Sequence, residues 1–125
     1  MVQRLVMSAG IAVLAAACGS SDSGMAPSPP VSGTTITITS SGVSPKNLLV
    51  SPGTQVTFMN NDSRNHEMTS DPHPEHTDCP AINTVDLLVP GQSKQTGNLN
   101  AVRTCGYHDH QNSENASLRG TLTIQ

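Results

Sequence analysis

Threonine and isoleucine alternate through Thr34-Thr35-Ile36-Thr37-Ile38-Thr39, and a period of two marks a strand with one buried face. Asn47-Leu48-Leu49-Val50 and Gln55-Val56-Thr57-Phe58-Met59-Asn60 read as two further strands. Between them Ser51-Pro52-Gly53-Thr54 is a turn, in which Pro fixes φ and Gly supplies a positive one. Asn60-Asn61-Asp62-Ser63 is a second turn. The pattern predicts more strands over residues 84–89, closed by Pro90-Gly91, then over 92–99, 101–107 and 118–124. Sustained helical periodicity is missing beyond the N-terminal segment. Short strands at roughly ten-residue spacing predict an all-β sandwich or barrel. Residues 70–83 are proline-rich and irregular, and a loop of that length is often functional.

The N-terminus changes the picture. Residues 1–4 carry one positive charge, and residues 5–17 form an apolar, alanine-rich run. That run is short for a bilayer span and reads as a cleaved export signal over residues 1–17. It ends in Ala15-Ala16-Ala17-Cys18, which resembles a lipoprotein cleavage box with Cys18 as the lipidated residue. Ala15 departs from the larger aliphatic residue usual in such a box. Residues 18–33, rich in Ser, Gly and Pro, read as a flexible tether. The folded domain is expected over 34–125. The expected location is the periplasmic or cell-surface side of a bacterial membrane, held by lipid alone.

Composition narrows the partners. The net charge is −3 with no basic stripe, which argues against nucleic acid. With no Trp and only Phe58 and Tyr107 as aromatics, a core this small gains much from a disulfide or a metal. No nucleophile elbow, phosphate loop or carboxylate pair is present, so an enzyme is not expected. A monomer is.

All five histidines lie between His66 and His110. Tyr107-His108-Asp109-His110 stands at a strand end, where residues two apart share a face and lie about 6.6 Å apart along the strand. Asp71-Pro72-His73-Pro74-Glu75-His76 is a loop stiffened by two prolines, and His66 follows a strand and turn. Neutral imidazoles suit zinc, copper, nickel and iron, with copper the tightest among divalent ions. The candidate metal ligands are His66, His108, His110, His73 and His76, with Asp109 and Glu67 as groups that orient imidazoles. Because ligation needs neutral rings, affinity is expected to weaken below about pH 6.5.

With Cys18 consumed by lipid, Cys79 and Cys105 remain. In an oxidising compartment they are expected to pair, closing a loop of about 26 residues worth roughly 3.5 kcal/mol in the chain-entropy model. The alternative makes Cys105 a thiolate ligand, because Cys105-Gly106-Tyr107-His108 has Cys-x2-His spacing and His110 stands at Cys-x4-His. In a regular strand Cys105 faces away from His108 and His110, which favours the bridge.

Taken together, these residues resemble the cupredoxin superfamily, over nearly all of 34–125. Val50-Ser51-Pro52-Gly53-Thr54-Gln55-Val56-Thr57-Phe58-Met59-Asn60-Asn61-Asp62, followed by His66, is similar to the segment leading to that superfamily's first copper-ligand histidine. Leu88-Val89-Pro90-Gly91-Gln92-Ser93 and Leu118-Arg119-Gly120-Thr121-Leu122-Thr123-Ile124 resemble later strands. The likeness is greatest to a bacterial subgroup with a His-Pro-x-His loop and a Tyr-His-x-His strand end. It implies a Greek-key β-sandwich, copper as cofactor, and a redox or copper-delivery protein as partner. Where the superfamily often has an axial methionine this chain has Leu118, and Met68 reads as core. Three functions follow from this: a histidine-rich site for copper binding and handling, a blue-copper electron carrier using Cys105, or an interaction module whose histidines are incidental.

Overall fold

A computed structural model describes residues 27–125. The expected export signal and Cys18 lie outside the described residues. The chain runs β1 (Val31–Ser32), β2 (Thr35–Thr39), β3 (Gly42–Ser44), β4 (Asn47–Val50), β5 (Thr57–Asn60), β6 (His66–Ser70), β7 (Asp86–Leu88), β8 (Ser93–Gln95), β9 (Arg103–Asp109) and β10 (Arg119–Ile124). Single-turn 3-10 helices occupy Pro80–Thr84, His110–Asn112 and Ala116–Leu118. These strands form two mixed sheets, one in the order β1-β4-β10-β9-β6-β7 and the other β3-β2-β5-β8. The architecture is the expected all-β sandwich.

Alternation sets the core. Ile36 and Ile38 of β2 are buried while their threonine neighbours are not, and Leu48, Phe58 and Leu122 continue the inner layer. Phe58 meets Tyr107 edge to face across the two sheets, with ring centroids 5.2 Å apart, a geometry that aromatic quadrupoles favour. Burial pushes the Tyr107 hydroxyl above its ordinary range. That hydroxyl donates to the Lys46 carbonyl at 3.0 Å, satisfying the one polar atom of the ring. Gly120 makes the contact possible, because a Cβ there would strike both the Lys46 carbonyl and the Tyr107 hydroxyl. Met68 and Leu118 are both buried in this core.

Three differences from the sequence reading matter. The sheet takes up Val31 and Ser32, which pair in parallel with Leu48 and Leu49, so ordered structure begins inside the segment read as tether. The reading over 84–89 holds only for Asp86–Leu88, because Pro80 opens a 3-10 helix that runs to Thr84. The strand β6 went unforeseen, since His66-Glu67-Met68-Thr69-Ser70 shows no apolar alternation. It pairs antiparallel with β9, with Met68 opposite Asp109, Thr69 opposite His108 and Ser70 opposite Tyr107.

That register fixes the site. Side chains opposite each other point to the same face, and the face alternates along each strand. Cys105, Tyr107 and Asp109 therefore share the inner face with Met68 and His66. His108 and Thr69 share the outer face. The loop after β6 sets Asp71 against Gly106 and His108 on the outer face, and its far end is stapled to the inward-facing Cys105 of β9 by the Cys79–Cys105 disulfide, with the two Cα atoms 5.8 Å apart.

Candidate metal centre

Four of the five histidines converge. His73, His76, His108 and His110 each offer a ring nitrogen, and these nitrogens all lie within 4.8 Å of one another. The rings pack closely: His73 and His110 have centroids 4.9 Å apart, and so do His76 and His110. An ion ligated at about 2.0–2.1 Å by four imidazoles places the nitrogens about 3.3 Å apart in tetrahedral geometry. Closing the cluster around one ion thus needs shifts of roughly 1 Å, and the residues present fit a metal ion.

Each histidine arrives by a different route. His108 projects from β9 and is 1% exposed on its side chain. Its Nδ1 donates to Asp71 Oδ1 at 2.6 Å, which leaves Nε2 unprotonated and turned toward the Thr69 hydroxyl at 3.4 Å. Carboxylate–histidine pairs of this kind fix tautomer and orientation in metal sites. Gly106 makes room for it, since a Cβ there would collide with the Asp71 carboxylate. His76 is set the same way by backbone: its Nδ1 donates to the Ser70 carbonyl at 2.9 Å, freeing Nε2. His76 also stands in the left-handed region at φ 54°, a conformation few side chains adopt and one that gathers at functional sites. Asn83 holds the turn by donating to the His76 carbonyl at 2.9 Å.

His110 sits just past the end of β9, at the head of the short helix His110–Asn112. Asp109 caps that helix by accepting from the Gln111 amide at 3.1 Å. The turn brings His110 Nδ1 to 2.9 Å from His76 Nε2. Since His76 Nδ1 already carries a proton, His76 Nε2 accepts and His110 Nδ1 donates in the metal-free protein. A metal ion held by the cluster would take the place of that proton. His73, exposed at the loop tip, closes the open side of the cluster.

His66 is elsewhere. It belongs to the inner face with Asp109 and is 0% exposed. Its Nδ1 lies 2.8 Å from Asp109 Oδ2 and its Nε2 2.9 Å from Asp62 Oδ2. Ionised carboxylates only accept, so both ring nitrogens face acceptors. The hydrogen bond from His66 is the main reason the Asp62 carboxyl is lowered to about 2, with the Ser63 amide and Arg64 adding to it. Burial pushes Asp109 up. Hydrogen bonds from His66, the Glu67 amide, Asn112 and the Gln111 amide outweigh it, and the carboxyl stays below its ordinary value. Carboxylates engage both of its ring nitrogens, and His66 points to the other side of the sheet from the cluster. The structure therefore does not bring His66 to the ligand set expected from sequence.

The other expectations divide. Cys105 is bonded to Cys79 and faces inward, so the reading of Cys105 as a thiolate ligand is corrected. Asp109 orients His66 and not the cluster, and Glu67 contributes its backbone amide to Asp109 at 3.1 Å. The groups that do orient cluster rings, Asp71 and the Ser70 carbonyl, were not singled out from sequence. The one available signal for Asp71 is its place two residues before His73 at the start of the proline-stiffened loop.

Comparison with known proteins supports the fold. No protein-family model matches the chain, and no curated protein matches it in sequence. Solved structures do. A purple cupredoxin from Nitrosopumilus maritimus superposes with a TM-score of 0.59 at 20% identity, covering 74% of this chain and all of that one. Oxidised plastocyanin from Dryopteris crassirhizoma gives 0.57 at 19% identity, over 73% of this chain and 99% of its own. A methionine-to-alanine variant of amicyanin in its Cu(I) state gives 0.57 at 15% identity, over 73% and 80%. The chain thus has a cupredoxin-like β-sandwich, and it carries on the outer face of one sheet a histidine cluster that can hold a metal ion.

Proposed function

We propose that the protein binds copper through His73, His76, His108 and His110 and serves to hold and hand over the ion on the exported side of a bacterial membrane, anchored through Cys18. The observation that carries this reading is the convergence of four imidazole nitrogens within 4.8 Å, two of them with tautomers set so that Nε2 is free. Copper is favoured over other divalent ions at all-nitrogen sites, and one neighbour in fold is described in its Cu(I) form. Exposure supports binding and exchange over catalysis: His73 is open to solvent, and His76 and His110 are half-buried. An ion here can be reached by a partner without unfolding the sheet. Electron transfer through a copper–thiolate centre lacks its thiolate, because Cys105 is bridged.

The test is metal analysis and Cu(II) titration of the purified protein with its disulfide intact. One equivalent of copper is expected, with weak absorption in the visible and no intense band near 600 nm. His76→Asn, which keeps a side chain tolerant of the left-handed backbone, and His108→Ala are each expected to weaken binding at least tenfold. Failure to take up stoichiometric copper favours the interaction-module reading.

A further inference from the structure

We infer that Cys79 is a site of thiol exchange through which an external dithiol releases the histidine loop. The metal-release half of this rests on the copper-binding reading; the exchange half does not. The disulfide joins the two halves of the cluster: Cys79 ends the loop bearing His73 and His76, while Cys105 lies on β9 ahead of His108 and His110. The two cysteines differ in exposure. Cys105 is 0% exposed, on the inner face of β9 beside β10, where it stands opposite Leu122. Cys79 keeps 8% exposure and lines an open cavity of about 250 Å³. Ala81, Leu99 and Ile124 give that cavity apolar walls, and Asn100 and Arg103 stand among its polar groups. The Arg103 guanidinium and the Asp78 carboxylate also line it and pair with each other.

Exchange depends on which sulfur can be reached, and Cys79 is the one of the two cysteines that borders the cavity. A thiolate entering the cavity forms a bond to Cys79 Sγ, and the Cys79–Cys105 bond breaks with Cys105 leaving as thiolate. The second thiolate of the dithiol then attacks its own sulfur on the mixed disulfide, and Cys79 leaves as thiolate. The dithiol supplies two electrons and ends as a disulfide, while both protein cysteines end reduced and take up protons. The loop then depends on hydrogen bonds alone, among them Asp71 N to Gly106 O at 3.0 Å and Gly106 N to Asp78 Oδ2 at 3.1 Å. His73 and His76 are less well held against His108 and His110, and the four-nitrogen site weakens.

Two measurements decide it. In the first, folded oxidised protein is treated with excess glutathione, quenched with acid and mapped by mass spectrometry. The adduct is expected on Cys79 with Cys105 free. An adduct on Cys105, or none until denaturant is added, overturns the assignment. In the second, Cu(II) affinity is compared between oxidised protein and the double variant Cys79→Ala/Cys105→Ala, with Cys79→Ser/Cys105→Val as a second sample should that variant not fold. At least a tenfold loss is expected. Affinities within twofold overturn the coupling. If the oxidised protein binds no copper, the metal reading fails, and the mapping still decides the exchange.

Discussion

The hydrogen bond from His108 to Asp71 gives the most direct handle on the metal centre. At 2.6 Å it is a short, charge-assisted bond, and the His108 ring is almost wholly buried, so it is little weakened by water. It sets the tautomer that leaves Nε2 for the ion. Asp71→Asn keeps an acceptor oxygen of the same shape and removes the charge. A bond to a charged group contributes about 1.5–3 kcal/mol and a neutral one about 0.5–1.5 kcal/mol, so the substitution costs about 1–1.5 kcal/mol. That is about a tenfold loss of copper affinity, at the lower end of the 10–100-fold range for groups that orient a ligand. Asp71→Ala removes the acceptor altogether and is expected to lie at the upper end. Gly106→Ala tests the same bond from the other side, because its new Cβ displaces the Asp71 carboxylate without altering any acceptor. Competition titration of Cu(II) against a chelator of known affinity reads all three, with circular dichroism checking the fold. The reasoning is refuted if Asp71→Asn and Asp71→Ala both bind copper within twofold of the parent.

Further outcomes follow from the other face of the sheet and from the staple. His66→Phe fills the space but takes from the buried Asp109 carboxylate its bond to His66, while Asp62 keeps Arg64; losing a hydrogen bond to a buried charged group costs about 1.5–3 kcal/mol, measured by urea denaturation, and a cost under about 0.5 kcal/mol contradicts the assigned network. Asp62 and Asp109 both titrate below their ordinary values when folded, so the stability they confer is present above the ordinary carboxyl pKa and is lost as pH falls through the folded value. The urea midpoint is therefore expected to drop as pH is lowered from the ordinary 3.8 of Asp62 toward its folded value of about 2, and to do so less steeply in Asp62→Asn. Replacing both Cys79 and Cys105 by Ala reopens a loop of sequence separation 26, a loss of about 3.5 kcal/mol in the chain-entropy model. For a domain of this size that lowers Tm by about 15–25 °C in a calorimetric scan, and a shift below about 5 °C refutes the estimate.

Much of this molecule is legible in its alternation. Thr35–Thr39, Asn47–Val50 and Arg119–Ile124 lie where period-two patterning puts them, because each buries one face and wets the other. The same reasoning placed Cys105 opposite to His108, which is why the bridge could be favoured before any coordinates. It failed at β6. His66-Glu67-Met68-Thr69-Ser70 has one apolar residue, Met68, and its inner face also carries His66, buried between two carboxylates. A buried polar side chain leaves no hydrophobic mark, so neither the strand nor the face of His66 was readable, and the likeness of residues 50–62 to the segment leading to a copper-ligand histidine made His66 look like a ligand. Asp71 was hidden for a related reason: its partner His108 lies 37 residues away, and only the closure of the loop over β9 joins them.

The decisive element is one strand with two chemistries on alternate residues. Asp109, pointing inward, is held below its ordinary value by hydrogen bonds that include the one from His66. His108, pointing outward one residue earlier, has its Nδ1 fixed by Asp71 and its Nε2 clear of any carboxylate. Which histidine could ligate a metal thus depends on whether a second carboxylate claims its other nitrogen. His108 has one such partner; His66 has two. A slip of β6 by one residue against β9 would exchange the faces, bringing His66 to the loop side and leaving Asp109 buried without His66. The cost of stranding that carboxylate works against the slip, alongside the β6–β7 pairing and the disulfide, and the register is what keeps the four remaining histidines together.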